Sequence, residues 1–442
     1  MSVLEVSVTP VDALIDVPRR ILVTGAVPGE RVELASETLR GGHVWRSRAC
    51  FVADAAGCVD LSQAAAVDGD YTGVSAMGLI WSQRPLREGS RDLFHADVAE
   101  PLLTSLSANA VTNTVVDTVV VTGSGKAQTR MVQRLCAGGV TRREVREQGL
   151  VGTLFLPQGR GPFPAVMVLN GSGGGINEPR AALYASHGYA AFALGYFKAP
   201  GLSDYISNTP LEYFRTGLDW LREKVKPLGG FVALSGQSRG GELVLLLGAT
   251  FPERVSAVLA YVPSALVHSG QNAADPAIGR NGPTWLLNGQ PLTHQWENNR
   301  YASWAPFDEG APPHRHTLAM LTALSDVEAV ARARIPVEKI QAPVLLLSAT
   351  DDGSWPSSVY SKMVRDRLEE GAHPYPVEWH DYQDAGHSIL FPFVPTTQTT
   401  YVHPVSKRIS TSGGEPAANA GADHDSWQHA LDFLRHAVEA LQ

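Results

Sequence analysis

Five apolar runs constrain this chain more than any other feature. "AVMVL", "YAAFALGYF", "FVALSG", "VSAVLAYV" and "APVLLLSAT" are continuously apolar rather than alternating. That is the pattern of strands buried on both faces. Between and after them lie segments of helical period: "AALYASHG", "TPLEYFRTGLDWLREK", "GELVLLLGATF" and, near the end, "DSWQHALDFLRHAVEAL". "YPVEWHDY" adds a further strand. Strands alternating with helices fold as a mostly parallel sheet flanked by helices. The second helix has a legible start, with Thr209 placed as N-cap, Pro210 at the first helical position and Glu212 completing a capping box. Leu211, Phe214, Leu218 and Leu221 then share one face.

Before about Gly138 the period is two. "RRILVTG", "RVELAS", "HVWRSRACFVAD" and "DYTGVSAMGLIWS" read as short strands separated by turns such as "VPGE" and "AAGC". In the third, Trp45, Ser47, Ala49 and Phe51 share one face, and Arg46 and Arg48 the other. Closely spaced strands of this kind predict an Ig-like β-sandwich. The 442 residues therefore divide into a sandwich over 1–137 and an α/β domain over 138–442, with a cap-like excursion at about 263–342. The sandwich holds no candidate triad, so it reads as structural or substrate-shaping, with the second domain chemically competent by itself.

The chemistry concentrates at "LSGQSRGGELVLLLG", Leu234 to Gly248. Ser238 lies between Gly236 and Gly240, after one apolar run and before another. A strand, a sharp turn and a helix in that order form a nucleophile elbow, which pushes the serine hydroxyl out of the surface. The flanking glycines are needed because a Cβ there would collide with neighbouring backbone.

A serine nucleophile needs a base, and the base an orienting acid. In α/β-hydrolases the order is Ser, then Asp or Glu, then His, on loops after late strands. Asp351 and Asp352 end "APVLLLSATDDGSW", and His387 lies in the turn of "WHDYQDAGHSI". The interval holds one helix and one strand. Asp351 competes with Asp352 as a turn residue, and either could cap the next helix; placement favours Asp352. His373 precedes its strand, His380 falls at a strand end, and Asp384 reads as a turn residue. The other acid position, after "AVLAYV", holds Pro263 and Ser264 and no carboxylate. The catalytic candidates are Ser238, Asp352 and His387. An oxyanion hole is expected from the glycine-rich loop Asn170–Gly175, with the backbone N–H of Ser172 or Gly173 joining that of Arg239.

Two phosphate-loop readings fail. The glycine loop breaks the G-x-G-x-x-G pattern at Ile176, and "VTGSGKA" at 121–127 lacks the first glycine and the final Ser or Thr of a Walker motif, leaving a hairpin turn.

The chain resembles the type I acyl-CoA thioesterases and the related bile acid-CoA:amino acid N-acyltransferases. The likeness runs through "YTGVSAMGLIWSQRP", "GTLFLPQGRGPFP", "GSGGGINEPRAALYASHGYAAFAL", "LEYF", "SGQSRGGEL", "IPVEKI", "DDGSW", "DAGH" and "GGEP", in order along almost the whole chain. It implies a β-sandwich followed by an α/β-hydrolase domain, a triad on Ser238, Asp352 and His387, and hydrolysis of an acyl thioester without metal or organic cofactor. The family's usual "DDHNW" is "DDGSW" here, and Gln237 and Arg239 flank the nucleophile where the family often has a small apolar residue and Lys or Leu. Acyl transfer to an amine or alcohol, and hydrolysis of an oxygen ester or lactone, use the same triad and stay open. A net charge of −8 without a long basic run argues against nucleic acid. No apolar segment reaches the length of a membrane span. The N-terminus lacks a signal-peptide pattern, and the final "EALQ" is not a peroxisomal tripeptide. Cys50, Cys58 and Cys136 have no metal-ligand spacing; Cys50 and Cys58 could pair, but isolated thiols point to a reducing cytoplasm.

Overall fold

The computed structural model describes residues 3–111, 114–116, 119–121, 125–403 and 407–441. The turn read at 121–127 falls on residues 122–124, outside the described residues. The chain forms two compact units, Met1–Leu135 with Phe391–Gln398, and Cys136–Leu390 with Thr399–Gln442.

In the first unit, strands Arg31–Arg40, His43–Val52, Leu102–Val111 and Lys126–Arg134 form the centre of one sheet. Glu5–Thr9, Arg20–Thr24 and Val59–Asp60 form another. Val6, Val8, Ile21 and Val23 of the smaller sheet share one core with Val32, Leu34, Ala49, Phe51, Leu106 and Met131 of the larger. Trp45, Ser47, Ala49 and Phe51 are buried and Arg46 and Arg48 exposed, so the alternation read from sequence holds. The hairpin between Arg31–Arg40 and His43–Val52 turns on Gly41 and Gly42, both at positive φ, where Arg40 faces His43. The "DYTGVSAMGLIWS" segment is a correction: only Gly73–Val74 is strand, and Gly78–Trp81 is one turn of helix. A side chain at Gly78 would stand 2.1 Å from the buried Tyr71 ring, which fixes this tight packing.

The second unit is built on an eight-stranded sheet. Its strands are β1 (Thr141–Val145), β2 (Val151–Leu156), β3 (Ala165–Leu169), β4 (Ala190–Gly195), β5 (Val232–Gln237), β6 (Ala257–Tyr261), β7 (Val344–Ala349) and β8 (Val377–Tyr382). The spatial order is β1-β2-β4-β3-β5-β6-β7-β8. β2 pairs antiparallel to β1 and β4, and the remaining pairs are parallel. This is the α/β-hydrolase sheet. Every residue of β3, β4, β6 and β7 is buried, as continuous apolar runs require. Helices α1 (Glu178–Ser186), α2 (Leu211–Trp220), α3 (Arg239–Thr250), α4 (His316–Leu324), α5 (Val327–Ala333), α6 (Ser357–Glu370) and α7 (Pro416–Glu439) accompany it. α3 follows β5 directly and buries all but its last residue.

The α2 start departs from the expected capping box. The helix begins at Leu211 with no side-chain cap. Thr209 pairs with Trp285 in a short strand and sends its hydroxyl to Ile206 O, while Glu212 accepts from the backbone N–H of Asn288. The preceding turn captured the Thr209 hydroxyl, and a tertiary partner captured the Glu212 carboxylate that the local motif would have used. Leu211, Phe214, Leu218 and Leu221 are all fully buried. The stretch 263–342 is folded throughout its length, with short strands Trp285–Leu287 and Gln290–Pro291 and helices α4 and α5.

Candidate active site

Ser238 occupies the one-residue corner between β5 and α3. Its backbone sits at φ 59° and ψ −120°, a region costly for a residue with a Cβ. Glycines make the corner possible. A Cβ at Gly236 would lie 2.1 Å from Gly240 O, and one at Gly240 would lie 2.6 Å from Leu169 O. Hydrogen bonds hold the strain in place: Ser238 N–H donates to Tyr261 O at 2.9 Å, and Ser238 O accepts from Glu242 N–H at 3.0 Å.

Three distant side chains meet at this corner. Ser238 Oγ lies 2.6 Å from His387 Nε2, and His387 Nδ1 lies 2.8 Å from Asp352 Oδ2. The other oxygen of Asp352 accepts from the backbone N–H of Ser354 and Trp355, at 2.8 and 3.1 Å. Asp352 is only 3 % exposed, so these donors replace its water. With both Asp352 oxygens occupied, Nδ1 must carry the proton and Nε2 is free to accept from the serine. The Trp355 ring lies edge-on to His387 at 5.7 Å and anchors its own N–H on Val262 O.

The competing residues are engaged elsewhere. Asp351 pairs with Arg315 at 2.7 Å and accepts from Gly414 N–H. His373 bonds Ala342 O, and His380 stacks on His429 at 3.6 Å. Asp384 is a left-handed turn residue at φ 57°. The glycine loop reaches Ser238 through Gly171, where a Cβ would stand 3.7 Å from Ser238 Oγ. Asn170 shapes that loop, donating to Gly174 O and accepting from Gly171 N–H. Among the described residues, no acceptor engages the backbone N–H of Ser172, Gly173 or Arg239.

The sequence matches two family descriptions. "Acyl-CoA thioester hydrolase/BAAT N-terminal region" covers residues 16–147, and "BAAT / Acyl-CoA thioester hydrolase C terminal" covers 209–440. The chain is 32 % identical to mouse acyl-coenzyme A thioesterase 6, over 95 % of this chain and 93 % of that protein. The chain belongs to the acyl-CoA thioester hydrolase/BAAT family. Other relatives are the mouse peroxisomal succinyl-coenzyme A thioesterase, 30 % identical over 95 % of this chain and 93 % of that one, and mouse acyl-coenzyme A amino acid N-acyltransferase 2, 29 % identical over 97 % and 96 %.

Within this acyl-CoA thioester hydrolase/BAAT chain, several residues that support the site escaped the sequence reading. Behind the nucleophile, the buried Arg239 side chain bonds Glu242 at 2.8 Å and Ser269 O at 2.9 Å. Glu242 also accepts from Trp285 Nε1 and His268 N–H. Burial raises its pKa, and Arg239 opposes the rise. His268 stacks on Trp355 at 4.9 Å; its Nε2 meets Ser264 Oγ and its Nδ1 meets the Gln271 amide. Since Gln271 donates to Nδ1, the ring is neutral, and burial holds its pKa well below the usual histidine range. Ser264, His268, Ser269, Gln271 and Trp285 all belong to the 263–342 excursion, so that segment is fastened to the elbow helix by a buried polar network. The "RGGE" spacing was the available signal, since Arg239 and Glu242 lie one helical turn apart.

Proposed function

We propose that this chain is a serine thioesterase that hydrolyses an acyl-CoA to the free acid and coenzyme A. His387 takes the proton of Ser238, and the alkoxide attacks the thioester carbonyl. The unengaged N–H groups of Ser172 or Gly173 and of Arg239, the last at the N-terminus of α3, hold the developing oxyanion. His387 then delivers its proton to the leaving thiol, and Asp352 stabilises the imidazolium meanwhile. Water, activated by the same histidine, clears the acyl-serine. The observation that carries this reading is the hydrogen-bonded line Ser238–His387–Asp352 at 2.6 and 2.8 Å in a chain of this family. The excursion at 263–342 acts as a cap that shapes the acyl pocket, and the sandwich plays a structural part. Cys50 and Cys58 stand as free thiols, which fits a cytoplasmic enzyme. In the described residues no helix is long and apolar enough to cross a membrane.

The test supplies acyl-CoAs of graded chain length, with and without glycine or taurine, and measures acid and amide by mass spectrometry. Free acid is the expected product. Ser238→Ala should lower kcat by about 10⁶ while leaving the fold intact. Mainly amide product, or an alanine variant retaining a few per cent of activity, would overturn the reading.

A further inference from the structure

A second group of ionisable side chains lies beside the Ser238 site and takes no part in its hydrogen bonding. Its centre is Asp308. Arg280 holds that carboxylate with both terminal nitrogens, at 2.9 and 2.6 Å. Arg408 reaches the same carboxylate at 3.2 Å and the Asp308 backbone carbonyl at 3.3 Å. Two guanidiniums share one carboxylate, so the trio is net positive. The rings of His314 and His316 pack against Phe307 at 5.2 and 4.0 Å, and Arg408 lies over the same ring at 5.3 Å. His403 is 6.3 Å from His316. In a chain of net charge −8, two guanidiniums gather here around a single carboxylate.

The cluster is reachable and has donors to spare. The side chains of Arg280, Arg408 and Asp308 are 36 %, 39 % and 27 % exposed. Arg280 alone occupies both Asp308 oxygens, so a structural clamp would need no second arginine. Nε and Nη2 of Arg408 engage no protein acceptor among the described residues, and His314 Nδ1 is buried without a partner. The cluster also adjoins the reaction site. His316 leads directly into Thr317, whose hydroxyl donates to Asp352 O at 2.5 Å.

We propose that Arg280 and Arg408 form the subsite that binds the phosphate groups of coenzyme A, the thiol carrier of the acyl substrate. This rests on the thioesterase reading above. Guanidinium forks match phosphate oxygens in pairs, and such charge-assisted bonds are the strong ones. Asp308 holds both guanidiniums before the ligand arrives, Arg280 by its two terminal nitrogens and Arg408 by Nη1, which lowers the ordering cost of binding. Burial first, and then the neighbouring histidines and Arg408, hold the His316 pKa down to about 3, so that ring stays neutral and the arginines carry the charge.

The experiment compares one acyl group on coenzyme A and on N-acetylcysteamine, which has the thioester but no phosphate. Wild type, Arg408→Gln, Arg280→Gln and Arg408→Lys are measured on both. Each glutamine variant should raise KM for the acyl-CoA about tenfold with little change in kcat. The N-acetylcysteamine ester should change less than twofold, and the lysine variant should recover part of the loss. Calorimetry with adenosine 3′,5′-bisphosphate should show binding to wild type that weakens about tenfold in Arg408→Gln. An unchanged acyl-CoA KM in both glutamine variants overturns the subsite, as does an equal loss on both esters in a variant shown to be folded by circular dichroism. Absence of bisphosphate binding to wild type overturns it without any variant. If wild type cleaves simple oxygen esters but no thioester, the thioesterase reading falls, and the calorimetry still decides the subsite by itself.

Discussion

Asp351 and Asp352 are neighbours with the same chemistry and different work. One faces Arg315 and Gly414, the other His387. Asp352→Asn leaves an amide where a carboxylate held Nδ1–H, which favours the wrong tautomer of the base. A loss of about 10⁴ in kcat is expected, against less than tenfold for Asp351→Asn. Steady-state kinetics of the two variants decides, and comparable losses would refute the assignment. The buried histidines make a second prediction at this scale. His268 and His316 are neutral in the fold, with pKa values held below 6.5 mainly by burial. The unfolded chain binds protons at both sites as pH falls through about 6.5 and the folded chain does not, so stability declines toward acid. Each such group contributes a slope of about 1.4 kcal/mol per pH unit between its two pKa values. Urea unfolding at pH 7, 6 and 5 should show this decline, and His268→Gln should reduce the slope by one proton. An unaltered slope would mean His268 is charged in the folded protein.

At the scale of elements, the C-terminal helix α7 holds the loop that carries His387. Asn419 Oδ1 accepts from Gly386 N–H at 2.7 Å, and Asp423 Oδ1 accepts from Leu390 N–H at 2.6 Å. The two acceptors are one helical turn apart, so a single rigid face fixes the chain on both sides of the histidine. Arg180 of α1 donates to Leu390 O at 2.6 Å and completes the hold. Asn419→Ala strands a buried N–H, at about 1–3 kcal/mol, and loosens the base. It should lower kcat by about 10–100-fold with KM little changed, because a small misplacement of a reacting group is costly. Asn419→Asp, which keeps the acceptor, should recover much of the rate. A wild-type kcat in the alanine variant would show that the loop holds itself.

At the scale of the molecule, the hydrolase sheet was legible because its central strands are buried on both faces and therefore continuously apolar. The elbow was legible because glycines must flank a strained serine, and the hydrogen-bonded line Ser238–His387–Asp352 because an acid and a base that serve such a serine must follow late strands. Other features left no local trace. β1, "TRREV", is an exposed edge strand without an apolar run; the Thr209 hydroxyl turns back to Ile206 O, and Glu212 obeys a tertiary partner rather than its own helix. The support of the His387 loop by Asn419 and Asp423 joins residues more than thirty positions apart. Least legible was the return of Phe391–Gln398 to the first unit. There Thr396 N–H donates to Trp81 O at 2.9 Å, Thr397 Oγ1 to Gln83 O at 2.7 Å, and Gln133 Nε2 to Phe393 O at 3.2 Å. Nothing in "FPFVPTTQ" announces those partners.

That return changes what a domain cut would do. Sequence reading alone makes 138–442 a self-sufficient catalyst. In the structure, a fragment beginning at 138 keeps Phe391–Gln398 but loses Phe94, whose ring meets that of the buried Phe391 at 5.4 Å, and Trp81 and Gln83, which accept from Thr396 and Thr397. The segment starts four residues after His387, so its release removes an anchorage beyond Leu390 that adds to the hold of α7 and Arg180 on the loop that carries the base. A small serine-directed phosphonate reports the outcome, because it labels Ser238 only when His387 is in place to activate it. The lone 138–442 fragment should label at least tenfold more slowly than the full chain, and co-expression with 1–137 should restore the rate. If the lone fragment labels as fast as the full chain, the Phe391–Gln398 anchorage has no part in holding the base, and the hold of α7 on the loop suffices.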